Sequence, residues 1–80
     1  MDAQSFDNLL NAFAAQVPFR PFTVVMNTGD QFEIDFPRAL VNRAGVAVYL
    51  SPGGIPVFFD HQSVNQFVGD LKTQASNTVP

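Results

Sequence analysis

Residues 22–36 read FTVVMNTGDQFEIDF, and the fold turns on this stretch. Phe22, Val24 and Met26 alternate with Thr23, Val25 and Asn27; Phe32, Ile34 and Phe36 alternate with Gln31, Glu33 and Asp35. A period of two is that of a strand with one face buried and the other wet. Between the two runs, Asn27-Thr28-Gly29-Asp30 makes a tight turn, with Gly29 able to take a positive φ. The stretch is predicted to be a β-hairpin with Phe22, Val24, Met26, Phe32, Ile34 and Phe36 on its inner face.

Upstream the period becomes 3.6. Phe6, Leu9, Leu10, Phe13 and Val17 share one helical face, and Gln4, Asp7, Asn8, Asn11 and Gln16 the other. An amphipathic helix is expected from Ala3 to Val17, with Asp2 as its N-cap and Pro18 as its stop.

Downstream, Pro37 and Arg38 interrupt, and Ala39 to Asn42 is a short, mostly apolar stretch. Arg43-Ala44-Gly45 reads as a turn and Val46 to Leu50 as a continuous apolar strand. Ser51-Pro52-Gly53-Gly54 breaks it. Ile55 to Phe59 is a strand with Pro56 at its start or on an edge, Asp60 to Ser63 a turn, and Val64 to Val68 the last strand. Leu71 to Pro80 has no period and is expected to fray. The reading is a single domain over 1–70, mainly β with one N-terminal helix and about five short strands. Such an order predicts a small bent five-stranded antiparallel barrel, Sm-like or SH3-like, capped by the helix. An open five-stranded sheet with the helix across one face is the competing arrangement.

Composition narrows the functions. The 80 residues are 46% apolar and 14% charged, well below the roughly 25% usual in globular chains. A net charge of −3 and a pI of about 4.5 supply no basic field for nucleic acid, so RNA is disfavoured as a partner and DNA is not expected. The absence of cysteine removes disulfides, thiolate chemistry and Cys-ligated metal. No apolar run approaches the ~20 residues of a membrane span and no signal segment is visible, so no membrane is expected and the cytoplasm is the default location.

Two resemblances follow from particular residues. Pro18-Phe19-Arg20-Pro21-Phe22, the turn Thr28-Gly29-Asp30 and the ending from Asp60 to Phe67 resemble a family of small uncharacterised bacterial proteins that open on a PFRPF motif. That family implies no function. More distantly, the chain is similar to Sm-like barrels of the host-factor (Hfq) type, which run from a helix into five bent strands. Val24 to Gly29 resembles their first motif, a strand closing in Asn-Gly, and Val57 to Val64 their strand-turn-strand near the uridine pocket. The resemblance implies Asn27, Phe59 and His61 as RNA-binding residues. Asp60, however, stands where those proteins carry a lysine, placing an anion where phosphate would lie.

The catalytic constellations are thin. His61 is the sole histidine; Asp60-His61 with Ser63 or Ser51 would be a nucleophilic dyad, but no nucleophile elbow accompanies it. Asp30, Glu33 and Asp35 are read as a solvated strand face rather than an acid/base pair. Arg20, Arg38 and Arg43 would make an anion site only if the fold gathered them. Ser51 to Gly54 lacks the Lys-Ser/Thr of a phosphate loop. No catalytic residue, metal site or cofactor is assigned, and the chain is read as a non-enzyme.

The phenylalanines give the sharper signal. Phe58 and Phe59 are consecutive on a strand and must face opposite ways, and Val46 to Leu50 poses the same problem. A small domain cannot hide both faces, so a partner should cover one. The expectation is a self-associating binding or scaffold module. By similarity to Sm-like rings, where the fourth strand pairs with a neighbour's fifth, the interface would involve Val57, Phe58, Phe59, Val64 and Phe67.

Overall fold

The helix starts where the sequence supplies a cap. Asp2 is extended, and its carboxylate accepts hydrogen bonds from the Ser5 N–H (2.7 Å) and the Ser5 hydroxyl (3.0 Å). These two bonds hold the Asp2 carboxyl below its ordinary range. Helix α1 runs over Ala3–Ala14 in the computed structural model, which describes residues 1–69. It stops three residues earlier than the periodicity suggests. Val17 is 83% exposed and lies in the connection, joined to Pro18 by a cis bond. Proline bars the preceding residue from helical backbone, and the last turn is lost with it.

Strands β1 (Phe22–Met26) and β2 (Gln31–Ile34) form the expected hairpin, with Phe22 opposite Ile34 and Val24 opposite Phe32. A 3₁₀ turn at Pro37–Ala39 then leads to β3 (Leu40–Arg43), β4 (Val46–Leu50), β5 (Pro56–Asp60) and β6 (Val64–Val68). All pairings are antiparallel. One sheet has the order β2-β1-β6, the other β3-β4-β5. There are six strands in two three-stranded sheets, and no ladder joins them into the expected closed five-stranded barrel among the described residues. Pro37 explains the break: without an N–H it cannot continue a ladder, so what read as one hairpin arm and a loose apolar stretch becomes β2, a corner and β3. Phe36, expected on the inner face, sits at this corner and is exposed. The ending from Leu71 to Pro80 lies outside the described residues.

Both sheets and the helix enclose one core. Phe6, Leu10 and Phe13 of α1 pack with Phe22, Val24 and Ile34 of the first sheet, Ala47, Tyr49 and Phe59 of the second, and Val64 of β6. Ring contacts stitch the layers: Phe13 stacks on Phe22 at 4.7 Å, and Phe59 meets Phe32 edge-on at 5.2 Å and Phe6 at 5.8 Å. No polar or charged residue is buried among the described residues.

Asp7 fastens the helix to the second sheet. Its two carboxylate oxygens accept from Asn42 Nδ2 and the Gly45 N–H, both at 3.0 Å. Ala44 (φ 53°) and Gly45 (φ 81°) make the tight β3–β4 turn. A Cβ on Gly45 would lie 2.7 Å from His61 Cδ2 and 2.8 Å from Ala3 Cβ, so the position admits no side chain.

Candidate functional site

Alternation along the second sheet sends Ala47, Tyr49 and Phe59 into the core and leaves the intervening residues outside. The register arranges those outer residues in rows. Val41, Val48 and Phe58 lie side by side across the three strands; Arg43, Val46 and Asp60 form the next row; Leu50 and Pro56 form a third. Phe58 is 73% exposed, and Val41, Val46 and Leu50 each more than half exposed. Side chains of Val41, Val46, Val48 and Phe58, with Asn42 and Arg43, border a shallow apolar groove of about 270 Å³. This is the largest concentration of outward apolar side chains in the fold, and it occupies one continuous sheet face.

The two charges on these strands sit at opposite margins. Arg43 ends β3 and makes no hydrogen bond or ion pair among the described residues. Asp60 ends β5 and is held by the β5–β6 turn: its Oδ1 accepts from the N–H of Gln62 (3.0 Å) and of Ser63 (2.9 Å) and from the Ser63 hydroxyl (2.9 Å). Those bonds, those from Ser63 first, keep its carboxyl below the ordinary carboxylate range.

A second hollow, of about 490 Å³, lies at the Pro37 corner among Asp35, Phe36, Arg38, Leu50, Ser51 and Pro52. The Tyr49 hydroxyl donates to Asp35 Oδ1 and accepts from the Asp35 N–H. Burial, and then the bond to Asp35, pushes the Tyr49 phenol up.

The other residues singled out in the sequence do not converge. His61 turns Nδ1 to the Met1 carbonyl at 3.0 Å, while the Ser63 hydroxyl is spent on Asp60 and that of Ser51 on the Ile55 carbonyl, so no nucleophile meets the histidine. Asp30 lies in the β1–β2 turn, Glu33 on β2, and Asp35 beyond it against Tyr49. Arg20, Arg38 and Arg43 fall before β1, in the corner and at the end of β3; Arg38 and Arg43 line different hollows. No group of three or more possible metal ligands exists among the described residues.

Of the residues implied for RNA, Asn27 donates from Nδ2 to the Gln62 carbonyl (2.8 Å), and the Phe59 ring, 4% exposed, is enclosed by Phe6 and Phe32 and offers no face to a base. Of those implied for the interface, Phe59 and Val64 are core residues and Phe67 packs against the core, so their side chains are not available to a neighbour. Phe58 is fully outward, and Val57 is half-buried. Sequence reasoning missed Val41 as a member of the face, and flagged the run Val46 to Leu50 without showing which of its side chains point outward. The adjacency of Phe58 and Phe59 signalled that such a face exists; only the register shows which residues share it. Among the described residues no helix is long and apolar enough to cross a membrane. Comparison with protein-family models, with curated proteins and with solved structures finds no match.

Proposed function

We propose that this chain is a non-enzymatic binding and scaffold module, a small β-barrel of Sm-like or SH3-like kind, that associates with further copies of itself through the outer face of β3–β4–β5. One observation carries the reading: the continuous outward face of Val41, Val46, Leu50 and Phe58, each more than half exposed on a chain of 80 residues. Contiguous apolar surface of this kind marks interaction sites on soluble domains. Its near lack of charge suits a protein partner better than a phosphate backbone, which needs Lys and Arg. Sedimentation velocity from about 1 to about 300 µM is the test. The expected result is a rising weight-average mass in the wild type that Phe58→Asp abolishes. A wild type that stays monomeric throughout overturns the proposal.

A further inference from the structure

Resting on that reading, we infer that two copies pack these faces together about a two-fold axis lying along β4, so that Arg43 of each copy meets Asp60 of the other. The inference comes from the rows. Rotation about an axis along β4 leaves every position along the strands unchanged and exchanges β3 with β5. The row Arg43–Val46–Asp60 then faces its own reverse: cation over anion at one margin, anion over cation at the other, Val46 on Val46 between them. In the next row Phe58 comes over Val41 of the second copy, a large side chain on a small one, and Val48 meets Val48.

The other in-plane two-fold axis, running across the strands, does neither. It keeps β3 over β3 and β5 over β5, sets Phe58 against Phe58, and directs Arg43 and Asp60 toward the apolar row of Leu50 and Pro56. Two charges would be desolvated without partners, a strongly unfavourable arrangement. Aligned sheets cross at about 30°, which displaces a contact one strand from the axis by only about 2–3 Å, within the reach of an arginine. Arg43 has no protein partner among the described residues, and all three local bonds to the Asp60 carboxylate fall on Oδ1, leaving Oδ2 for the guanidinium. Three strands, one of four residues and two of five, give a footprint of at most roughly 15 by 17 Å. That is below the roughly 1,000 Å² in total that a stable interface clears, so the dimer is a weak, transient one.

The test uses the lack of native cysteine. Val48→Cys places two thiols beside the axis, across a sheet spacing too wide for a direct disulfide, and a short bismaleimide should bridge them into a covalent dimer at least about tenfold faster than Gln66→Cys, whose thiol sits on the other sheet. In parallel, Arg43→Glu alone should weaken self-association at least about tenfold, and mixing it with an equal amount of Asp60→Lys should restore dimers, because only the mixed pair has opposite charges at both margins. Asp60→Lys forfeits the turn bonds, so its folding is checked by circular dichroism; the cysteine comparison stands without it. If the wild type associates but Val48→Cys links no faster than Gln66→Cys, or Arg43→Glu leaves association unchanged, this geometry is wrong while self-association survives. A monomeric wild type removes the reading beneath it.

Discussion

The two sheets are built alike and finished differently. Each has three short antiparallel strands, a central strand (β1 or β4) and an inner face given to the common core. The outer rows of the first sheet read Gln31–Val25–Gln66 and Glu33–Thr23–Val68, mixed and largely polar. Those of the second read Val41–Val48–Phe58 and Arg43–Val46–Asp60. Since the first sheet folds with a wet outer face, nothing in the architecture requires the second to have an apolar one. Inner residues answer to the fold; the outer apolar residues of β3–β4–β5 do not, and the proposed self-association would cover them.

The contrast can be broken first at the adjacent phenylalanines. Phe59→Ala should cost about 3–5 kcal/mol of folding stability, because the ring is enclosed, whereas Phe58→Ala should cost under about 1 kcal/mol in the monomer. Urea unfolding at low protein concentration measures both, and equal losses would erase the distinction between the faces. Next comes the fastening of the helix, which involves the second sheet alone. Asp7→Ala leaves Asn42 and the Gly45 N–H without their acceptor and should cost about 1–3 kcal/mol. Hydrogen exchange should speed up most at the β3–β4 turn and least in the β1–β2 ladder.

A gentler change gives the second sheet the finish of the first. Val46→Thr with Val48→Thr keeps the β-branched shape, so unfolding free energy should move by less than about 1 kcal/mol. Self-association should nevertheless fall about tenfold in sedimentation. The smallest expected effect concerns acid. Asp2 and Asp60 both titrate below the ordinary 3.8 in the folded chain, and so bind fewer protons than when unfolded. Their contribution is complete above about pH 5 and drains away as the pH falls through the ordinary value and then the lowered folded ones. Asp60→Asn keeps an acceptor for the turn, so its thermal midpoint should fall less between pH 6 and pH 3 than that of the wild type.

What could be read from the sequence followed strict local patterning. The β1–β2 hairpin and the body of α1 declare themselves by period, β4 as a continuous apolar run between two turns, and Asp2 by its place before a helical run. Strand β3 does not: Leu40, Val41, Asn42 and Arg43 put a polar Asn42 inward, where it serves Asp7 from another element, and no local pattern can anticipate that bond. The helix end and the corner at Phe36 depart from the periodicity because two prolines redirect the chain before the apolar pattern runs out. For the site, adjacency of Phe58 and Phe59 guaranteed one outward ring, but which one depends on pairing with β4, and so the interface expected from Phe59 and Val64 falls on side chains the core already uses.

The registers also differ in the length of chain each must close. Arg43 meets Val46, and Leu50 meets Pro56, across a few residues, whereas Thr23 must wait for Val68, forty-five positions along. Closing the long loop costs roughly 2 kcal/mol more chain entropy, so the β1–β6 pairing costs more to bring together than any within the β3–β4–β5 meander. Arg43 and Asp60 are the only charged residues on its three strands, one at each edge. Each edge of the meander therefore carries one charge that a neighbouring strand would have to desolvate in order to pair along it.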